Sequence, residues 1–281
     1  MAATFVLGFA QARQPALVDL TARAGAYVER FSSEFASLLG DERYEQQFVT
    51  GPPLRTPSRL LLSEVLFVWL AEERSWLTAR IVKAVDSKPV SDSVTRLERL
   101  IADTSTSWPE RMRRLRDEGA RFNIGRLERN FGDPTLALQF LAPETQERFE
   151  FKLEGRERIR DQMSWRVSFK ERAHPTLVQS SGRDVLASGD VWLADQDQSV
   201  VQTRVFFLDR HFDLRITADI RVTYRSEPRL GIWLPAEMRE IYQQNGRGID
   251  DARVVSFNDR VECIATYSNF RRFETEARLV N

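Results

Sequence analysis

Between Leu214 and Arg225 the chain alternates without a fault. Leu214, Ile216, Ala218, Ile220, Val222 and Tyr224 form one set; Arg215, Thr217, Asp219, Arg221, Thr223 and Arg225 form the other. A period of two sends successive side chains to opposite sides of an extended backbone, so this is a strand with one dry and one wet face. At about 3.3 Å per residue it runs about 40 Å, about twice the common strand length. A wet face implies an antiparallel sheet that is covered on one side only.

The same alternation recurs from Gln146 onward. Phe149, Phe151 and Leu153 alternate with Arg148, Glu150, Lys152 and Glu154, and Met163, Trp165, Val167 and Phe169 alternate with Ser164, Arg166, Ser168 and Lys170. Val191 and Leu193 follow a turn at Ser188-Gly189-Asp190, and Val201, Thr203, Val205 and Phe207 precede one at Asp209 to His211. Ser226 to Gly231 closes the long strand. Ile232 to Tyr242 reads equally as helix or strand, since Pro235 fits a helix start or an edge strand. Asn245-Gly246-Arg247-Gly248 reads as a loop, and Val254–Phe257 with Val261–Phe273 as a closing hairpin across Asn258-Asp259. Strands joined by short turns make a meander.

The first half differs. Leu17, Leu20, Ala24, Tyr27, Val28, Phe31, Phe35 and Leu38 fall at helical spacing, which predicts a helix from Ala16 to Leu39, stopped by Gly40-Asp41. Tyr44–Thr50 reads as a short strand. Arg59–Leu70 is apolar on both faces and rich in β-branched and aromatic residues, the composition of a buried strand. Trp76–Val85 follows as its partner, with a turn at Asp86 to Pro89. From Ser91 to Phe140 the spacing is helical again, through Val94, Leu97, Leu100 and Ile101, then a charged helix over Glu110–Phe122. Asp133-Pro134 supplies a cap and a first-turn proline for a short apolar helix over Thr135–Leu141. The pattern sums to about nine to eleven strands.

Composition excludes several classes. Formal net charge is zero, with 41 basic and 41 acidic residues, which argues against a nucleic-acid partner. Lysine occurs only at positions 83, 88, 152 and 170; arginine supplies the rest, through GC-rich codon usage or for bidentate anion binding. The single cysteine, Cys263, allows no disulfide framework. Ala2 to Ala10 is an apolar run and Ala10-Gln11-Ala12 matches a small-x-small cleavage site, so residues 1–12 read as a signal-peptide remnant and 13–281 as one exported domain. No other stretch has the apolar length to span a bilayer.

Catalytic chemistry is hard to find. His174 and His211 both lie beside turns and lack cysteine partners for a metal site. No nucleophile elbow, phosphate loop or zinc-protease helix occurs. Asp195-Gln196-Asp197 begins like a calcium loop but lacks the glycine and closing glutamate. No catalytic residue, metal or cofactor is therefore predicted. The aromatic residues are more suggestive. Phe149, Phe151, Trp165, Phe169, Ile216, Ile220 and Tyr224 fall on dry strand faces, where they either pack as plain core or line a hollow for an acyl chain. Arg111, Arg113 and Arg114 are the candidate anionic head-group site, against the plainer reading of a solvated helix face.

Residues Ile216 to Tyr242 carry a resemblance: a long strand (ITADIRVTYRSEP), then Gly231-Ile232-Trp233-Leu234-Pro235 and Glu237-Met238. The closing Tyr267-Ser268-Asn269-Phe270-Arg271-Arg272-Phe273 is similar in kind. With the leading helix and the meander, the last two-thirds of the chain resembles the LolA-like family of exported bacterial proteins, the outer-membrane lipoprotein-sorting type. That resemblance implies an α+β fold: a large, curved antiparallel half-barrel with helices over its concave face. It also implies an apolar cavity for lipid or acylated protein, a periplasmic location and no enzymatic activity. It makes Ile232–Tyr242 a strand and marks residues 91–141 as a helical insertion or lid. An envelope protein is a further possible partner. Two rival readings stay open: an interaction module with a closed core and an Arg-rich face, and a hydrolase built on the histidines.

Overall fold

The computed structural model describes residues 15–34, 37–49, 57–70, 75–92, scattered positions between 95 and 131, and 132–272 apart from 181, 198, 212 and 251–252. Helix α1 is Leu17–Glu34. The strands are β1 (Ser37–Val49), β2 (Ser58–Leu70), β3 (Ser75–Val85), β4 (Lys88–Pro89), β5 (Phe149–Ile159), β6 (Gln162–Glu171), β7 (Gln179–Ser180), β8 (Arg183–Asp184), β9 (Leu186–Ala194), β10 (Val200–His211), β11 (Leu214–Glu227), β12 (Ile232–Asp250) and β13 (Arg253–Arg272). A second short helix, α2, is Leu136–Gln139.

Eleven strands form one antiparallel sheet in the order β4-β3-β2-β1-β13-β12-β11-β10-β9-β6-β5, and β7 and β8 pair separately. The sheet does not close, as a half-barrel requires. Its N-terminal and C-terminal parts join where β13 returns to lie against β1. The open edges are protected: β4 is two residues long and ends in Pro89, while β5 carries a bulge between Leu153 and Gly155 and a row of charges.

One face is covered. Leu20, Ala24, Tyr27, Val28 and Phe31 of α1 are buried in the same apolar cluster as Leu61, Val65, Val167, Phe207, Ile220 and Ala265 from the sheet. Phe31 meets Trp76 of β3 edge-on at 5.3 Å. Further along, α2 and the residues around it pack over β10 and its neighbours, with Leu138, Phe140 and Leu141 almost wholly buried.

Several sequence expectations need correction; the turns expected at Ser188-Gly189-Asp190 and Asp209 to His211 lie inside β9 and β10. The helix predicted to Leu39 ends by Glu34, and Leu38 through Val49 is strand. Gly40 does not stop a helix. It lies inside β1, where a Cβ would stand 2.8 Å from the Phe270 ring. Asn245 to Gly248 is not a loop: β12 runs unbroken for 19 residues, and Gly246 is required because the Asp213 carbonyl approaches its backbone. Asn258-Asp259 is not a turn either. Both lie within β13, opposite Asn245 and Gln244, and the pairing with β12 continues to Asp250 opposite Arg253.

Gly189 of β9 marks another close approach. A Cβ there would lie 1.9 Å from the Arg204 carbonyl oxygen and 2.8 Å from the Phe169 ring. Gly189→Ala is expected to cost about 2–4 kcal/mol, as overpacking against backbone does. Urea denaturation reads this directly, and an unchanged midpoint contradicts it.

Candidate functional site

The covered face has two ends of opposite character. At the β5-β6-β9-β10 end it is aromatic. Phe149, Phe151 and Phe169 stand within 5.8–6.4 Å of one another. Phe140, just past α2, inserts among them, 5.2 Å from Phe149, 6.0 Å from Phe169 and 6.3 Å from Phe207. All seven residues singled out as candidate lining belong to this face. Phe149, Phe169, Ile220 and Tyr224 are buried in its cluster, and Phe151, Trp165 and Ile216 pack against it partly buried.

At the β3-β2-β1-β13-β12 end the same face holds a buried polar cluster among apolar residues such as Leu61, Val65, Val261 and Ala265. Arg80 of β3 holds Glu42 of β1 through two hydrogen bonds, the longer at 2.8 Å, and its guanidinium lies 4.2 Å from the centre of the Tyr44 ring. Burial works against the charge on Arg80, but the Glu42 carboxylate outweighs it and raises its pKa. Glu240 of β12 is buried and accepts from two phenols: Tyr44 at 2.8 Å and Tyr242. Burial, then the negative Glu240, pushes both hydroxyls well above the ordinary tyrosine range, so they remain donors. Arg129, from the covering segment, donates to Gln46 Oε1 at 2.6 Å, to the Ile124 carbonyl at 2.9 Å and to Cys263 Sγ at 2.8 Å. Tyr267, directly across from Glu42, keeps a buried hydroxyl with no hydrogen-bond partner among the described residues.

A single covering strand of chain links the two ends. A Cβ on Gly132 would lie 3.5 Å from Glu240 Oε1 and 3.8 Å from an Arg80 nitrogen, so bare backbone roofs the polar end. Two residues on, the Pro134 carbonyl accepts from Tyr224 at 2.9 Å. Asp133 Oδ1 accepts from the Thr135 backbone N–H at 2.7 Å and from its hydroxyl, which fixes the turn into α2. Phe140 then fills the aromatic end.

Burial, reinforced by Glu240, pushes the Cys263 thiol up to about 12. Only the thiolate reacts, so native Cys263 is expected to resist iodoacetamide at pH 8 and to be labelled at the rate of unfolding. Fast labelling of the folded protein contradicts its place in the core.

The remaining candidates are dispersed. Arg111 and Arg113 lie outside the described residues. Arg114 pairs with Asp103 and Glu110. His174 Nδ1 lies 2.6 Å from Asp184 Oδ2 on the exposed β7-β8 excursion, and that contact brings the Asp184 carboxyl down to about 2. The residues read as a signal-peptide remnant also lie outside the description. Among the described residues, no helix is long and apolar enough to cross a membrane.

The polar cluster escaped the sequence reading. Its one signal was charge on a dry parity: Glu240 falls between Met238 and Tyr242, and Glu42 and Gln46 flank Tyr44, all at core positions of their strands. The opposite face has a groove of about 460 Å³ whose walls include Glu45, Leu60, Ile241 and Ile264. Around it the charges neutralise one another, Arg239 with Glu237, Arg260 with Glu262 and Arg204 with Asp219.

No known family profile and no curated protein match the sequence. Solved structures similar to this chain include a LolA superfamily protein from Nitrosomonas europaea, 7% identical with a TM-score of 0.34, which pairs 93% of this chain with 95% of its own. A DUF1329 family protein from Desulfovibrio piger is 10% identical at a TM-score of 0.33, over 92% and 95% of the two chains. A putative outer membrane lipoprotein-sorting protein domain from Vibrio parahaemolyticus is 10% identical at 0.31, over 91% and 95%.

Proposed function

We propose that this chain is a non-enzymatic, exported binding protein of the bacterial envelope that carries the acyl chains of lipids or acylated proteins on its covered face. One observation supports this most: the aromatic end of an open sheet is filled by Phe140, presented from a four-residue helix on a connecting segment. An acyl chain entering along Phe149, Phe151, Trp165 and Phe169 replaces the buried area that Phe140 supplies, at about 25 cal/mol per Å². The cover is its own placeholder.

Organic extraction of the purified protein followed by mass spectrometry tests this. The native chain is expected to release long-chain acyl lipid. Trp165→Arg, which puts a cation on the half-buried rim of the aromatic end, is expected to stay folded by circular dichroism and release none. A bare native protein, or a Trp165→Arg variant that unfolds, returns these residues to ordinary core. The groove on the other face supports the second reading, an interaction module; a bare protein that captures an envelope partner through that groove favours it.

A further inference from the structure

We infer that the ligand is an amphiphile with an uncharged, hydrogen-bonding head group, an acyl ester, amide or alcohol, whose head lies in the Glu42-Arg80-Glu240-Arg129 cluster and whose tail lies among Phe149, Phe169 and Phe207. This rests on the carrier reading above and names its substrate class. The argument begins with the path of the cover. From Gly132 to Phe140 it runs from the polar cluster, past Tyr224, to the aromatic end. From β12, which carries Glu240, to β6, which carries Phe169, there are four interstrand steps. At about 4.8 Å each that is about 19 Å along the sheet, the reach of a long acyl chain.

The charge of the cluster decides the head group. Glu42, Glu240 and Arg129 are buried and Arg80 is nearly so, and the formal charges of the two acidic and two basic side chains cancel. A carboxylate or phosphate head would bring a net buried charge, which is costly without a new counter-ion. What now roofs the site is itself uncharged, the backbone of Gly132, while Arg129 stays bonded to Gln46 and to the Ile124 carbonyl. An ester or amide offers the same acceptors and donors as that peptide backbone. Polar groups there await such a partner. The Tyr267 hydroxyl and the Arg129 Nε are both buried and without a hydrogen bond among the described residues. A hydroxyl or carbonyl on the incoming head satisfies groups that the cover leaves unmet.

Equilibrium dialysis of the full-length protein against 1-monopalmitoylglycerol and against palmitate at pH 7.5, both below micelle formation, tests this. The monoacylglycerol is expected to bind at least about tenfold more tightly, the consequence of a buried charge penalty of the order of one decade in affinity. Tyr267→Phe is expected to narrow that ratio while leaving palmitate affinity unchanged. Palmitate binding as tightly as the glyceride, or a ratio that Tyr267→Phe leaves intact, overturns the inference and keeps the carrier reading. Binding of neither overturns both. The ratio measured on the native chain stands by itself if the variant does not fold.

Discussion

Arg80→Leu is expected to destabilise the protein by about 3–5 kcal/mol, the cost of leaving a buried carboxylate unpaired. Glu42 is almost wholly buried, and both of its oxygens are held by Arg80. Remove the guanidinium and Glu42 must either stay charged in the core or take up a proton. The double variant Glu42→Leu/Arg80→Leu removes both charges and is expected to lie much closer to the native chain, since apolar replacement of a buried pair is often neutral. Urea denaturation of the three proteins at pH 7.5 reads the cycle. A single variant no less stable than the double one contradicts a dry polar cluster.

Phe140→Ala is expected to cost about 3–5 kcal/mol of stability, as deletion of a buried aromatic ring does. It is also expected to strengthen acyl-chain binding. If Phe140 occupies the place the ligand takes, displacing the cover costs less without it. A reduction of about 3 kcal/mol in that cost corresponds to about a hundredfold gain in affinity. The two effects have opposite signs, which separates a plug from a core residue. A variant that loses stability and gains no affinity for 1-monopalmitoylglycerol places Phe140 in permanent core.

The sheet was legible because its later strands obey a simple rule. In β5, β6 and β11 the dry positions are apolar and the wet ones polar, and the period of two stands out. The rule breaks where polar residues take dry positions. In β1, Glu42 and Gln46 do so because Arg80 and Arg129, distant in sequence, neutralise and bond them. With that alternation hidden, the apolar spacing of α1 runs on into Leu38 and the helix is drawn too long. In β12 and β13 the misleading signal was turn chemistry. Gly246 and Gly248 make room for the Asp213 backbone and the Phe257 ring rather than reversing the chain. Strand parity placed all seven candidate residues on the covered face, but not Phe140, which reaches it from a connecting segment. The polar end was not, because its members come from β1, β3, β12, β13 and the covering segment, and only the register of the folded sheet brings them together.

The central claim is that the segment over the covered face gives way to an acyl chain. Hydrogen exchange of the full-length protein, with and without 1-monopalmitoylglycerol, measures this most directly. Amides of residues 132–142 are expected to exchange faster when the ligand is bound, while those of β9, β10 and β11 stay protected. Slower or unchanged exchange in 132–142, with the ligand demonstrably bound, would contradict the account.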